Sequence, residues 1–519
     1  MTDRDTQRGS VLDRAYLRAA AVADRIDERH TRRSPLALTP GHAGAAAATW
    51  GTLKLATVGL LSPIAGPIVL AGAARGTRHV VALTLRYPGM VRDLVEGRTI
   101  DYAADRVERA PARARYFISS DLHRCVPGTV DWTHHQGTAG LYDAVLDYYA
   151  DREWGLVENG DVEDFWLSGG STYGVVYDVF RLASFALGKA KRAVGRGGAG
   201  TRADASAGVA THHLRRIVAN NRRTYDRIDQ RFHRYGRYHR LVGNHDDVFL
   251  DPAMVDALGE VHHGLAVNDF LLFVDDGDDG KSGRGDGGDG GGGVGDAGAR
   301  AIGVVTHGHH TDGWNMPFRS ALGRLGTWLG SALLDVPFAN NPGIPDLEET
   351  GRLLDGRLPD LLTRVSRRFG ANRELYSLDE ILLFDAWREE WSSPDGADGA
   401  VADGRAAEPW LLLGHTHVPL IQPLDPESGA AWNRYANSGS GIFYECLTGV
   451  EWDGTTDPAN PSVRLVGWRY ADRDDATPPS AVVAWDGDRG VVREVFERVE
   501  PSECLQIVAR GHDRRPVDA

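Results

Sequence analysis

From Ala114 onward the 519-residue chain is built of short apolar runs, each ending in a polar cluster. Tyr116-Phe117-Ile118 leads into Ser120-Asp121-Leu122-His123, and Leu156-Val157 leads into Asn159-Gly160-Asp161. Leu241-Val242 precedes Gly243-Asn244-His245-Asp246, Ile302 to Val305 precedes His307-Gly308-His309, and Leu411-Leu412-Leu413 precedes Gly414-His415-Thr416-His417. Runs this short, bounded by turn residues, predict buried strands. Between some of them the period changes. Leu214, Ile217, Val218, Tyr225, Ile228 and Phe232 recur at helical spacing, which predicts one helix with a single apolar stripe. Strands alternating with helices predict an α/β fold, in which ligands bind beyond the carboxyl ends of strands. The polar clusters sit at those ends.

The flanking regions follow other patterns. Residues 1–110 have helical spacing, as in Asp13 to Arg29 and His79 to Val95, and carry none of the polar clusters. Within them Leu55 to Ala74 is an uncharged run long enough to cross a bilayer, but Ser62, Pro63, Gly66 and Pro67 interrupt it. Three readings stay open for 55–74: a buried helical hairpin, a peripheral membrane contact and a true span. A second domain is expected over 111–510, with loops at 194–208, 275–299 and 393–408, all rich in Gly, Ala or Asp. A helical cap is expected at about 312–392, where Phe318, Leu322, Leu325, Leu329 and Leu333 share a face. Val463 to Trp468, Ala481 to Trp485 and Val491 to Phe496 predict closing strands.

Composition narrows the function. Apolar residues make up 42 % and charged residues 25 %, an ordinary globular mix, and the formal net charge is −14. An acidic chain has no bulk attraction for nucleic acid, so none is expected as a partner. Cys125, Cys446 and Cys504 are too scattered for a disulfide framework or a cysteine zinc site, which fits a cytoplasmic protein, membrane-associated if 55–74 makes that contact.

Taken together, the clusters hold Asp121, His123, Asp161, Asn244, His307, His415 and His417 in order. Carboxylate and amide oxygens mixed with imidazoles suit divalent first-row metals, manganese foremost, with iron, zinc or magnesium as alternatives. Here the chain resembles the calcineurin-like metallophosphoesterase superfamily, whose blocks are Asp-x-His, Gly-Asp-x-x-Asp, Gly-Asn-His-Asp/Glu, His and Gly-His-x-His. All five occur in order between Asp121 and His417. The resemblance implies a four-layer αββα sandwich holding two divalent metal ions. Asp121, His123 and His417 would hold one, Asn244, His307 and His415 the other, and Asp161 would bridge them. It implies hydrolysis of a phosphomonoester, phosphodiester or pyrophosphate through a metal-bridging hydroxide. It makes His245 a contact for the phosphoryl or leaving oxygen and Asp164 the carboxylate that orients it. Asn437 and Gly439 would lie near the site without a defined role.

Around these, Arg124 and His309 are candidate substrate contacts, and His310 is close enough in sequence to join them. His134, His135, His212, His213, His262 and His263 are read as surface or capping residues. The block Gly160-Asp161-Val162-Glu163-Asp164-Phe165-Trp166 departs from the Ser/Thr protein phosphatase pattern, and Asp164 stands where purple acid phosphatases carry a Tyr ligand. In style the motifs are most similar to UDP-diacylglucosamine hydrolases and their relatives, except that His245 replaces an Arg. The expected partner is a small phosphorylated or lipid-phosphate substrate. The apolar segments 55–74 and 312–392 suggest a lipid tail. The alternatives are a metal-dependent nuclease or cyclic-nucleotide phosphodiesterase, and a non-catalytic scaffold of the same fold.

Overall fold

A computed structural model describes residues 11–33, 207–275, 300–309 and 409–423, with short gaps 106–166, 433–471 and 479–499, and part of 173–184. The segments 55–74, 194–206, 276–299, 312–392 and 393–408 lie outside the described residues, as do His79 to Val95, His310 and Cys504. The apolar run, the cap and nearly all of the three loops therefore remain expectations.

The described chain is mixed α/β. After helix α1 (Val11–Arg33) come strands β1 (Val107–Pro111) and β2 (Arg115–Ser119), helix α2 (Thr138–Ala150) and β3 (Gly155–Asn159). Helices α3 (Ala207–Asn220) and α4 (Arg222–Arg231) lead to β4 (Tyr238–Leu241), then helix α5 (Pro252–Leu258). The strands continue as β5 (Phe270–Asp275), β6 (Arg300–Thr306), β7 (Trp410–Leu413), β8 (Leu420–Ile421) and β9 (Tyr435–Asn437). The last four are β10 (Cys446–Asp453), β11 (Ser462–Tyr470), β12 (Val482–Asp486) and β13 (Arg489–Phe496). They form two mixed sheets, ordered β1-β5-β6-β7-β9-β8 and β12-β13-β11-β10-β2-β3-β4.

Two departures from the sequence pattern concern helices and loops. The stripe from Leu214 to Phe232 spans two helices rather than one, because the chain leaves helical geometry at Asn221, whose side chain donates to Ile217 O at 2.9 Å. Both helices still bury the stripe. The first and second loops also end or begin inside elements, since Ala207 opens α3 and Asp275 closes β5.

The sheets share an apolar core. Tyr116 of β2 stacks on Phe273 of β5 with ring centroids 4.7 Å apart, and Phe273 meets Trp452 of β10 at 4.5 Å. A second core lies on the other face of the seven-stranded sheet, where Phe117, Leu156 and Trp468 meet residues of α1 to α5. Trp452 and Trp468 are fully buried. Burying a ring of that size removes roughly 150–250 Å² from water, a gross gain of about 4–6 kcal/mol each.

Pairing direction decides where the polar clusters meet. β2, β3 and β4 are mutually parallel neighbours in one sheet, as are β6, β7 and β9 in the other. Every loop after these strands therefore leaves at a carboxyl end, the geometry expected of a ligand site. Among the described residues no helix is long and apolar enough to cross a membrane.

Candidate metal centre

The loops that follow β2, β3, β4, β6 and β7 turn sharply. Asp121, His123, Asp161, His415 and His417 have φ of +53°, +45°, +51°, +70° and +61°. Each such non-glycine residue costs about 1 kcal/mol or more, and such strain clusters at functional sites. Two glycines make room for it. A Cβ on Gly160, itself at φ +78°, would meet His307 Cγ at 2.5 Å, and one on Gly243 would overlap the Asp161 carboxylate and amide.

These turns aim a set of donors at one point. Two groups could each hold a metal ion, Asp121-His123-His417 and Asp161-His307-His415. A third, His123-Asp161-His245, overlaps both. Around Asp121 Oδ1 stand His417 Nε2 at 3.2 Å, His307 Nε2 at 3.9 Å and His123 Nε2 at 4.0 Å. Asp161 Oδ2 lies 3.3 Å from His307 Nε2 and 3.9 Å from His123 Nε2. Ligands about 2.0–2.2 Å from one ion are separated by about 3.0–3.5 Å, so this spacing fits cations between the groups. Asn244 Oδ1 is buried and accepts no hydrogen bond, a further oxygen suited to a cation.

Tautomers point the same way. His307 Nδ1 donates to Asn159 O at 2.8 Å, which leaves Nε2 to face the carboxylates. Burial alone would lower the His307 pKa, but Asp161 and Asp121 outweigh it and carry it to about 9. Burial alone would raise Asp121, yet His417 and His307 hold it down at about 2. The cluster thus strongly favours positive charge among its carboxylates, supplied by protons or by a cation.

The supporting contacts hold each donor. His245 N–H donates to Asp161 Oδ1 at 2.7 Å, and His415 N–H to Asp121 Oδ2 at 2.9 Å. Asp164 Oδ2 accepts from both His123 Nδ1 at 3.1 Å and His245 Nδ1 at 3.0 Å. The His245 ring, its side chain 15 % exposed, stacks on Trp166 with centroids 4.2 Å apart. Burial alone would depress its pKa; Asp164 and Asp161 instead lift it to about 9. Asn437 has a definite task, since its Nδ2 donates to Gly414 O at 2.9 Å and Thr416 Oγ1 at 3.0 Å, bracing the His415–His417 turn.

Other expectations change. Arg124 does not open toward a substrate. It is 2 % exposed, its guanidinium is paired with Glu158, and the rings of Tyr142 and Tyr225 lie 5.4 and 5.1 Å away. Its charge serves a buried network in which Arg240 pairs with both Glu158 and Glu163. His309 is buried, its ring centroid 5.3 Å from that of His307 and 6.4 Å from that of His415, rather than at a solvent face. His213 and His262 are fully buried rather than superficial. Asp246 was not singled out by sequence. It accepts from Gly243 N at 2.6 Å, Val162 N at 3.0 Å and Arg240 Nη2 at 2.6 Å, tying the β3 and β4 loops together. Its place in the Gly-Asn-His-Asp block was the available signal.

Comparison of the chain with known protein families, curated proteins and solved structures finds no match.

Proposed function

We propose that this protein is a two-metal phosphoesterase of the calcineurin-like metallophosphoesterase kind, its two sheets forming the inner layers of an αββα sandwich. The observation that carries the reading is the shared position of Asp161. It belongs to a ligand group with His307 and His415, and it also lies 3.9 Å from His123 of the Asp121 group. A carboxylate between two half-sites is what a bridged pair of cations needs. Two divalent ions, when bound there, supply a nucleophile near neutral pH and neutralise charge on phosphoryl oxygens.

The remaining work falls to the chain. Asp121, His123 and His417 would hold one ion and Asn244, His307 and His415 the other. Asp164 keeps the proton on His245 Nδ1, so Nε2 is the atom left to meet a phosphoryl or leaving oxygen. The Trp166 ring limits how far the imidazole can tilt. The donor set of imidazole, carboxylate and amide supports manganese, iron or zinc. A lipidic substrate rests on 55–74 and 312–392, outside the described residues, and stays an expectation.

The test is metal analysis with a panel of phosphomonoesters, phosphodiesters and pyrophosphates. Asp161→Asn should lose bound metal and hydrolysis together. Retained activity in that variant, or after exhaustive chelation, refutes the two-metal reading.

A further inference from the structure

The N-terminal helix carries none of the candidate ligand motifs, yet a chain of side-chain contacts links its buried stripe to one of them. Tyr16, Ala20 and Ala23 of α1, spaced to share one face, are buried. The Tyr16 hydroxyl lies 2.9 Å from the Tyr173 hydroxyl and 3.1 Å from His212 Nδ1 of α3. Arg216, also on α3, reinforces the joint. Its Nη1 donates to Asp24 Oδ1 at 2.5 Å, and its guanidinium sits 3.8 Å over the Tyr173 ring.

Beneath that joint lies a second layer. The Tyr173 hydroxyl is 3.0 Å from His213 Nδ1, and the His213 ring stacks on Tyr177 with centroids 3.7 Å apart. This layer bears on the Asp164–Trp166 turn. Phe165 O accepts from the Tyr177 hydroxyl at 3.1 Å and from Arg181 Nη1 at 2.9 Å, and the same nitrogen reaches Trp166 O at 3.3 Å. The Phe165 ring rests 5.7 Å from His213, and the Phe165 N–H donates to His245 O at 3.2 Å.

The turn therefore has two faces. One carries Asp164 and Trp166, which hold the His245 ring; the other is gripped by Tyr177, Arg181 and His213. Donors from one layer fix two consecutive backbone carbonyls, so the turn cannot shift without leaving buried carbonyls unpaired. The 3.0 Å bond from His245 to Asp164 does not survive a displacement of about 1 Å.

We propose that α1 is a positioning element of the candidate site: Tyr16, acting through Tyr173, His213 and the Tyr177–Arg181 pair, holds the Asp164–Trp166 turn so that His245 keeps its orientation. The kinetic consequence rests on the phosphoesterase reading; the mechanical coupling does not.

The experiment uses the full chain, metal-loaded, with Tyr16→Phe, Tyr16→Ala and the control Val22→Ser, a residue 52 % exposed on the same helix. Amide hydrogen exchange over Asp164–Trp166, metal content and kcat for alkyl and nitrophenyl phosphate esters are measured. His245→Ala supplies the reference pattern, because proton delivery matters most for the poor alkoxide leaving group. In Tyr16→Ala metal content should hold while exchange over the turn quickens about tenfold or more, as expected for easier local opening. Alkyl-ester turnover should fall about 10- to 100-fold and nitrophenyl-ester turnover less than about threefold, the size expected of a 1 Å misplacement. Tyr16→Phe should show the same pattern more weakly, and Val22→Ser should match the parent. Unchanged exchange over the turn overturns the proposal, as does an equal fall for both esters, which is what a smaller folded fraction produces. If Tyr16→Ala does not fold, Tyr16→Phe and Tyr173→Phe decide. If the parent hydrolyses no ester, the phosphoesterase reading fails while the exchange measurement still judges the coupling.

Discussion

A single methyl group at Gly243 probes the centre without removing any donor. In the folded chain that Cβ would overlap the Asp161 carboxylate and backbone amide, and would lie 2.8 Å from Asp161 Cγ, where ordinary contact begins at 3.4 Å. Backbone is among the obstructing atoms, so no rotamer change relieves the overlap. The β4 loop must back away from the β3 loop, carrying Asn244 and the His245 N–H that binds Asp161 Oδ1 at 2.7 Å. A retreat on the order of 1 Å costs about 10²-fold in rate at a preorganised site. Overpacking of this kind costs about 1–3 kcal/mol of stability, a few degrees of melting temperature for a domain of this size. Gly243→Ala should therefore fold, bind less metal by elemental analysis, and lose at least about tenfold in phosphoester hydrolysis. The refuting result is a Gly243→Ala protein with full metal content and turnover within about twofold of the parent, because the two loops would then not meet as they do here.

His245→Ala should keep its metal and lose about 10²- to 10⁴-fold in turnover, less with a nitrophenyl leaving group; loss of metal would make His245 a ligand. Arg124→Ala should leave KM unchanged while lowering stability by less than the about 3–5 kcal/mol of a fully stranded charge, because Glu158 keeps Arg240 at 3.2 Å; a raised KM with unchanged melting would restore a substrate role. His212, half-buried beside Arg216, has its pKa lowered by its partial burial and by that cation to about 4, so the folded state refuses a proton that the unfolded chain accepts near 6.5. Its contribution is complete above pH 6.5 and is lost as pH falls toward 4, up to about 3 kcal/mol. The stability gap between the parent and His212→Gln, followed by urea unfolding, should narrow over that window; a constant gap contradicts the assignment.

Much of the site was legible in the chain because its chemistry is local. Asp121-x-His123 and His415-x-His417 each place two donors on one turn, and each turn follows an apolar run that could only be a strand. The closing strands were legible as short apolar runs between polar turns, and β11 buries the run Val463 to Trp468 except for Arg464. What the sequence by itself determined was the donor inventory, its order and the α/β class. Only the tertiary structure decided which donors face each other, because that depends on strand direction. Parallel pairing of β2 with β3 and of β3 with β4, and of β6 with β7 and of β7 with β9, brings loops from two sheets to one edge. The same holds for charge. Arg124 follows His123 in sequence and looked like a substrate contact, but its side chain leaves β2's loop toward Glu158. His213 looked superficial on a polar stretch of helix, and is buried against Tyr173 and Tyr177, the first of which is held in turn by Tyr16 of α1, nearly two hundred residues earlier in the chain. Burial is a property of what packs on a residue, and no local pattern records a partner that distant.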